Sequence, residues 1–265
     1  MGTTRRRVLI TGATGTIGQL LSERLADDYE LILHGRTPRT PAQKESLRRA
    51  DLQDEAAVAA LMTDVDTVVH LAGSASPDSS WEDVLSANIV GCRNVMQAAV
   101  SAGVRRIVYA SSNHAMGMYD RHGEWPVSSG DLPRADSLYG VSKVFGEVLG
   151  RFLHDEHGID VINLRIGWTS GDPFLSDLEL LRAMWLSEDD TEQVFRRAIE
   201  ARVLFGTYYA VSDNPDRRWD ITDTMLDLGY RPRDSWTERA GGEHHTEPDV
   251  IEGGAPSPKD WPKGS

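Results

Sequence analysis

The stretch "LYGVSK" sets Tyr139 and Lys143 four residues apart, which on a helix places them one turn apart on one face. A phenol and an ammonium do little for each other's packing, and lysine is scarce in this chain, occurring only at positions 44, 143, 259 and 263. The pair therefore reads as chemistry. A free phenol titrates near about 10, too high for a base at neutrality, but an adjacent positive charge stabilises the phenolate. Twenty-seven residues before the tyrosine, the run "YASSNHAMG" carries Ser112 just after a β-branched apolar segment. Serine there could hydrogen-bond a reacting hydroxyl while Tyr139 takes its proton. Ser112, Tyr139 and Lys143 are the candidate catalytic residues.

Such a set needs an acceptor for what leaves the substrate carbon, and the N-terminus supplies a cradle for one. In "LITGATGTIGQLL", Gly12, Gly15 and Gly18 follow a strand and open a helix. The first glycine permits a tight turn, the second lets the backbone approach a pyrophosphate, and the third lets helix and strand pack closely. The helix N-terminus then holds the anion, with Thr14, Thr16 and Ile17 as further candidate contacts. The positive ring of a bound nicotinamide would add to Lys143 in stabilising the phenolate, and Lys143 would also hold the nicotinamide ribose.

The second strand ends in "LILHGRTPR", with Gly35 where an NAD site usually has a carboxylate, then Arg36 and Arg39. A guanidinium binds a 2′-phosphate that a carboxylate would repel, so NADP is favoured and NAD is possible. Asp51 and Leu52 in "ADLQD" are placed for the adenine edge. Leu71, Ala72 and Gly73 of "HLAG" and Ile166 close strands with small or apolar groups, as a backbone passing beside the cofactor requires.

The elements that position these residues alternate. Short apolar runs at Arg7 to Thr11, Glu30 to His34, Thr67 to Ala72, Arg106 to Ser111 and Asp160 to Ile166 read as strands buried on both faces. Helical patterns at Ile17 to Asp27, Glu55 to Met62, Trp81 to Ala102 and Leu138 to His157 separate them. The alternation implies an α/β fold, a Rossmann-type doubly wound parallel sheet, whose carboxyl edge points Ser112 at the ligand crevice. After Ile166 two helices (about Leu175 to Leu186 and Asp190 to Ala201), a strand at Thr207 to Val211 and a helix at Ile221 to Leu228 are expected. The expected organisation is a dinucleotide-binding core with the catalytic helix over 1–166, a small substrate-binding portion over 167–236, and an acidic Gly/Pro-rich tail over 237–265.

Composition limits partners. Twenty-eight Lys+Arg against 41 Asp+Glu give a net charge of -13, which argues against nucleic acid and implies an acidic surface. Cys92 is alone, so no intrachain disulfide or cysteine metal cage forms. No metal is required, and His244 and His245 read as solvated tail residues. No apolar run suits a membrane span and the start leads straight into a strand, so a cytoplasmic location is expected.

TGxxGxxG, Ser112 and YxxxK in this order resemble the extended short-chain dehydrogenase/reductase family, over nearly the whole chain to about residue 235. "ASSNHAMG", "LYGVSKVFGE", "LRIG" and "MWLSEDD" together look like its uronate dehydrogenase group, whose relatives include haloarchaeal aldose and sugar-phosphate dehydrogenases. The resemblance implies oxidation of the anomeric carbon of a cyclic sugar to a lactone. It implies that Asn113 and His114 contact sugar hydroxyls together with Ser112 and Tyr139, that Ser74 or Ser76 does so from the preceding loop, and that Asn88 braces the active site near the cofactor. The plain alternative for His114 is a satisfied structural histidine, and Met116 and Met118 read as packing.

Two positions depart from the acidic-sugar members of that group. Those have an arginine five residues before the tryptophan of the "W-S-D" stretch, where this chain has Leu180, with Arg182 two residues later and about 200° around a helix. They also tend to have serine after "RIG", where this chain has Trp168. Both departures favour a neutral pentose or hexose, with Trp168 and Arg182 kept as candidate substrate contacts. Uronate or sugar-phosphate oxidation is the alternative, followed by nucleotide-sugar epimerisation or dehydration. A non-catalytic cofactor sensor would need none of the three catalytic residues. The family commonly pairs subunits through two long helices. Here Val84, Ile89, Val95, Val144, Leu149 and Phe152 supply more apolar surface than one face needs, so a homodimer is expected.

Overall fold

In the computed structural model, which describes residues 5–38 and 41–239, the β-branched runs form one parallel sheet. The chain runs through β1 (Arg7–Thr11), α1 (Thr16–Arg24), β2 (Glu30–His34), α2 (Pro41–Ser46), α3 (Glu55–Leu61) and β3 (Thr67–His70). It continues through α4 (Trp81–Asp83), a π-helical segment Val84–Gly91, α5 (Cys92–Ser101) and β4 (Arg106–Ser112). A 3₁₀ turn Asn113–Met116, α6 (Gly117–His122), α7 (Leu138–His157) and β5 (Asp160–Ile166) follow. The remainder is β6 (Trp168–Thr169), α8 (Glu179–Ala183), β7 (Trp185–Leu186), α9 (Glu188–Glu200), β8 (Phe205–Ala210), α10 (Thr222–Asp227) and α11 (Trp236–Arg239). Strand order is β2-β1-β3-β4-β5-β8, with every pairing parallel. β6 and β7 form a separate two-stranded pair.

Neighbouring residues of each strand serve opposite cores, as a two-residue side-chain period demands. Val8, Ile10, Val69, Val108 and Ile162 pack with Leu21 and Leu25 of α1 and Val194, Phe195 and Ala198 of α9. Leu9, Val68, Ile107 and Val161 face the other way, onto Val58 of α3, Val95 and Ala99 of α5 and Leu153 of α7. Each such side chain contributes about 1.5–3 kcal/mol when buried, which explains why the middles of these strands are mostly apolar on both faces. A buried arginine ties the far end of the sheet to α9. Arg106 donates to the carbonyls of Ala198, Ala201 and Val203 at 2.9, 2.6 and 2.7 Å, satisfying a helix C-terminus, and pairs with Asp160 at 3.0 Å.

Four expectations change. The helix expected from Trp81 to Ala102 is continuous but widens into a π segment, which carries Asn88. The expected helix from Leu175 to Leu186 is only the single turn α8. Asp172 and Ser176 accept from the backbone N–H groups of Phe174 and Leu178 at 2.8 and 3.2 Å, offering that stretch an alternative to helix. Trp185 and Leu186 instead pair as strand with Trp168 and Thr169. The run Glu188, Asp189, Asp190 does open a helix capped by Ser187, but Asp190 is buried and also accepts from Ser212 Oγ and the N–H groups of Arg233 and Asp234. The chain remains ordered in helix past Thr237, with Arg239 set 5.8 Å over the Trp185 ring. Arg39, His244, His245 and the rest of the expected tail from Ala240 lie outside the described residues. Among the described residues no helix is long and apolar enough to cross a membrane.

Candidate active site

The carboxyl ends of β1 to β5 open onto a cleft of about 1120 Å³. At one end is the glycine turn. Gly12 has φ +73°, and a Cβ there would stand 2.8 Å from Ala72 N, so the turn needs glycine twice over. A Cβ on Gly18 would meet Gly12 O at 2.2 Å, which is how α1 lies close against β1. The N-cap of α1 is Gly15, with no side-chain cap and no acidic residue in the first turn. Its leading N–H groups are left for an anion, as a dinucleotide pyrophosphate requires. Gly12, Thr14, Gly15, Thr16, Ile17 and Gly18 all line this part of the cleft. Gly35, Arg36, Asp51 and Leu52 line the cleft beyond the end of β2, with Arg36 exposed and Gly35 pressed so close to Thr14 that a Cβ would come within 3.0 Å of its methyl. Leu71, Ala72, Gly73 and Ile166 line the middle. β3 stops at His70 so that Leu71 and Ala72 can turn along the cleft, their N–H groups donating to Thr11 O and Thr11 Oγ1 at 3.2 and 3.3 Å.

The catalytic candidates meet beyond that point. Ser112 ends β4 and caps the turn that follows, its Oγ accepting from His114 N at 3.2 Å. Ser137 caps α7 by accepting from Gly140 N at 3.1 Å, which places Tyr139 in the first turn and Lys143 one turn later. All three line the cleft and all three are buried against the protein. Lys143 Nζ donates to Ala110 O at 2.7 Å and lies 5.4 Å from the centre of the Tyr139 ring. Behind it the His70 ring, held by Thr11 Oγ1 at 2.7 Å, is pushed down to about 3 by burial and then by the charge of Lys143. The lysine thus faces a neutral imidazole there, and its charge is available to a phenolate.

A buried ion pair sets the spacing of these elements. Glu147, one turn after Lys143, accepts from Arg165 Nε and Nη2 at 2.9 and 2.8 Å and from Ser111 Oγ at 2.6 Å. It so clamps α7 to the ends of β4 and β5. Asn88 does the same for the loop after β3. Its Oδ1 accepts from Ser74 N at 2.7 Å, and its Nδ2 donates to Ser74 O and to Ser142 Oγ of α7, both at 2.9 Å.

Asn113, His114 and Trp168 line the cleft next to Ser112 and Tyr139. Asn113 is fixed by Ser112 Oγ donating to its Oδ1 and by its own Nδ2 donating to Met184 Sδ, both at 3.3 Å. The His114 ring stands edge-on to Tyr139 with centroids 5.6 Å apart. Four residues expected near ligand do not line the cleft. Asn88 lies behind its wall, Ser74 bonds Ser79 Oγ at 2.6 Å, and Ser76 Oγ accepts from Asp78 N at 3.2 Å. Arg182 donates to Ser176 O at 3.2 Å and leans over Trp236. The wall also holds Met184, which opens the stretch "MWLSEDD", and Leu175, Leu178 and Leu181, which nothing in the sequence pattern singled out. Asp136, which bonds His114, was missed as well, because an acid beside a helix cap is an ordinary capping signal.

Comparison with known proteins agrees with this geometry. Residues 8–173 match the model of the NAD dependent epimerase/dehydratase family. L-arabinose 1-dehydrogenase (NAD(P)(+)) of Haloferax volcanii is 40% identical over 251 residues, covering 86% of this chain and 97% of that protein. NAD-dependent glucose-6-phosphate dehydrogenase of the same organism is 39% identical over 247 residues, covering 87% and 94%. The crystal structure of uronate dehydrogenase from Agrobacterium tumefaciens superposes with a TM-score of 0.81 at 34% identity, covering 89% of this chain and 87% of that one. These are the relatives that the sequence motifs resemble, and the six-stranded parallel sheet is the fold expected.

Proposed function

This chain belongs to the NAD dependent epimerase/dehydratase family, and we propose that it is an NAD(P)-dependent aldose 1-dehydrogenase that oxidises the anomeric carbon of a neutral pentose or hexose to a lactone. The observation that carries the reading is the convergence of Ser112, Tyr139 and Lys143 on one cleft whose other end is an uncapped glycine-rich helix start. A dinucleotide, when bound at the glycine turn, would supply the hydride acceptor. Tyr139 takes the proton of the C1 hydroxyl as C1 becomes the lactone carbonyl. Ser112 Oγ holds that oxygen in place, and the Lys143 ammonium stabilises the phenolate. The portion over 167–236 closes the sugar end of the cleft through Trp168 and the leucines around α8.

A neutral sugar is preferred because a buried carboxylate without a partner costs several kcal/mol. Among the described residues the cations lining the cleft are Lys143, beside Tyr139, and Arg36, at the adenosine end. The wall after β5 is Trp168, Thr169, Leu175, Ser176, Leu178, Leu181 and Met184, mostly apolar and without a cation, Arg182 being bonded to Ser176 O and not part of the lining. For the cofactor, Gly35 and the exposed Arg36 favour NADP. The homodimer reading keeps Phe152 of the residues expected and otherwise moves to others. Val84 and Val95 are buried in the subunit's own core, whereas Leu85, Val141, Val148 and Phe152 are 39%, 52%, 63% and 55% exposed along the π segment and α7. Steady-state oxidation of paired neutral aldoses and uronates tests the substrate reading. Higher kcat/KM for the aldose of each pair is expected, and a consistent preference for the uronate overturns it.

A further inference from the structure

His114 is held by a carboxylate that the dehydrogenase reading does not use. Its Nδ1 lies 3.0 and 2.9 Å from Asp136 Oδ1 and Oδ2. Asp136 immediately precedes the cap of α7 and is fixed from several sides. Ser137 Oγ donates to its Oδ1 at 2.9 Å, its N–H donates to His114 O at 3.3 Å, and its carbonyl accepts from Arg121 Nη2 at 3.0 Å. A Cβ on Gly117 would stand 2.1 Å from Asp136 Oδ2, so α6 begins with the one residue that leaves room for this carboxylate. Burial works to raise the Asp136 carboxyl, but the hydrogen bond and charge of His114, the Ser137 bond and Arg121 together hold it below the usual carboxylate value. The group is therefore an anion at neutral pH and can only accept.

Two facing acceptors cannot bond, so the proton of a neutral His114 ring sits on Nδ1. That leaves Nε2 with a bare lone pair, and among the described residues it has no protein partner. The ring lines the cleft with its side chain 22% exposed, edge-on to Tyr139. We infer that Asp136 is a positioning residue that sets the tautomer of His114, making the imidazole the acceptor for a hydroxyl of the sugar beside the reacting carbon. The inference rests on the proposed sugar dehydrogenase reading and deepens it. A hydroxyl can donate to the lone pair; a deoxy position cannot. An anionic group at the same point would meet an electron pair backed by a carboxylate.

The test is Asp136→Asn, which keeps shape but offers an amide NH₂ to Nδ1 and so favours the proton on Nε2. The tautomer is read from ring-nitrogen NMR of the full-length protein at neutral pH, with the His114 signals assigned by their loss in His114→Gln. The expected result is an Nδ1-protonated ring in the wild type and loss of that state in Asp136→Asn. For the best aldose, kcat/KM should then fall about ten- to a hundredfold, mainly through KM, with dinucleotide affinity unchanged. A proton on Nε2 in the wild type, alone or together with one on Nδ1, overturns the inference, and so does a tautomer change that leaves KM where it was. If Asp136→Asn does not fold, the wild-type ring spectrum alone still decides. If the wild type oxidises no sugar, the dehydrogenase reading fails separately, while the spectrum still reports where Asp136 places the proton.

Discussion

Replacing Glu147 by glutamine leaves volume and one oxygen in place but removes the charge that balances Arg165. Both side chains are almost wholly buried, 7% and 3% exposed, and two hydrogen bonds of 2.9 and 2.8 Å join them. Burial acts against the Arg165 charge, and the Glu147 bond and charge more than offset it, so the guanidinium is held above its usual value. Arginine cannot escape by losing its proton. Breaking one side of a buried pair costs about 3–5 kcal/mol. For a chain of this size each kcal/mol moves Tm by about 2–4 °C, so a fall of roughly 6–20 °C is expected by calorimetry. Because Ser111 and Lys143 flank the clamp, kcat should drop about ten- to a hundredfold from misplacement of Ser112 and Lys143. Adding Arg165→Met removes the stranded charge, so the double variant should be more stable than Glu147→Gln alone. A single variant within about 1 kcal/mol of wild type, or a double variant as unstable as the sum of both singles, refutes the clamp.

Arg36→Leu should lower kcat/KM with NADP about ten- to a hundredfold and leave NAD nearly unchanged, as loss of a charge-assisted phosphate contact predicts; equal losses with both cofactors contradict the assignment. Asp120 bonds Trp125 Nε1 at 2.9 Å, and burial raises its carboxyl to about 6 from 3.8. The native state thus holds this proton more tightly than the unfolded chain, and its contribution to stability is full below 3.8 and lost as pH rises through about 6. Denaturant titrations of Asp120→Asn across that window should show a flatter pH dependence than wild type; parallel curves refute it. Sedimentation should show a dimer at micromolar concentration, shifted toward monomer by Val148→Glu with Phe152→Glu; a wild-type monomer removes that proposal.

What the sequence disclosed was set by local rules. The glycine turn, the strand ends and the helix bearing Tyr139 and Lys143 are each written in a few adjacent residues, and the sheet follows from their alternation. The partners of the site were less legible because they come from distant segments. Nothing near Glu147 announces Arg165, and Asp136 looks like an ordinary acid before a helix cap. The family resemblance implied Asn88 as a brace, but its grip on the Ser74 backbone depends on a π-helical turn that the apolar pattern does not encode. The register of the stretch 169–178 was obscured by Ser and Asp side chains that bond their own backbone, and so α8 is shorter than its apolar residues suggest.

The role of Tyr139 as the base is tested most simply by steady-state kinetics of Tyr139→Phe beside wild type, following reduced nicotinamide with a neutral aldose. Ring packing is preserved and only the phenolic oxygen is lost. The expected result is lactone formation by the wild type, a fall in kcat of at least ~10²-fold in the variant, and dinucleotide affinity nearly intact. A variant that keeps more than about a tenth of wild-type kcat contradicts Tyr139 as the base.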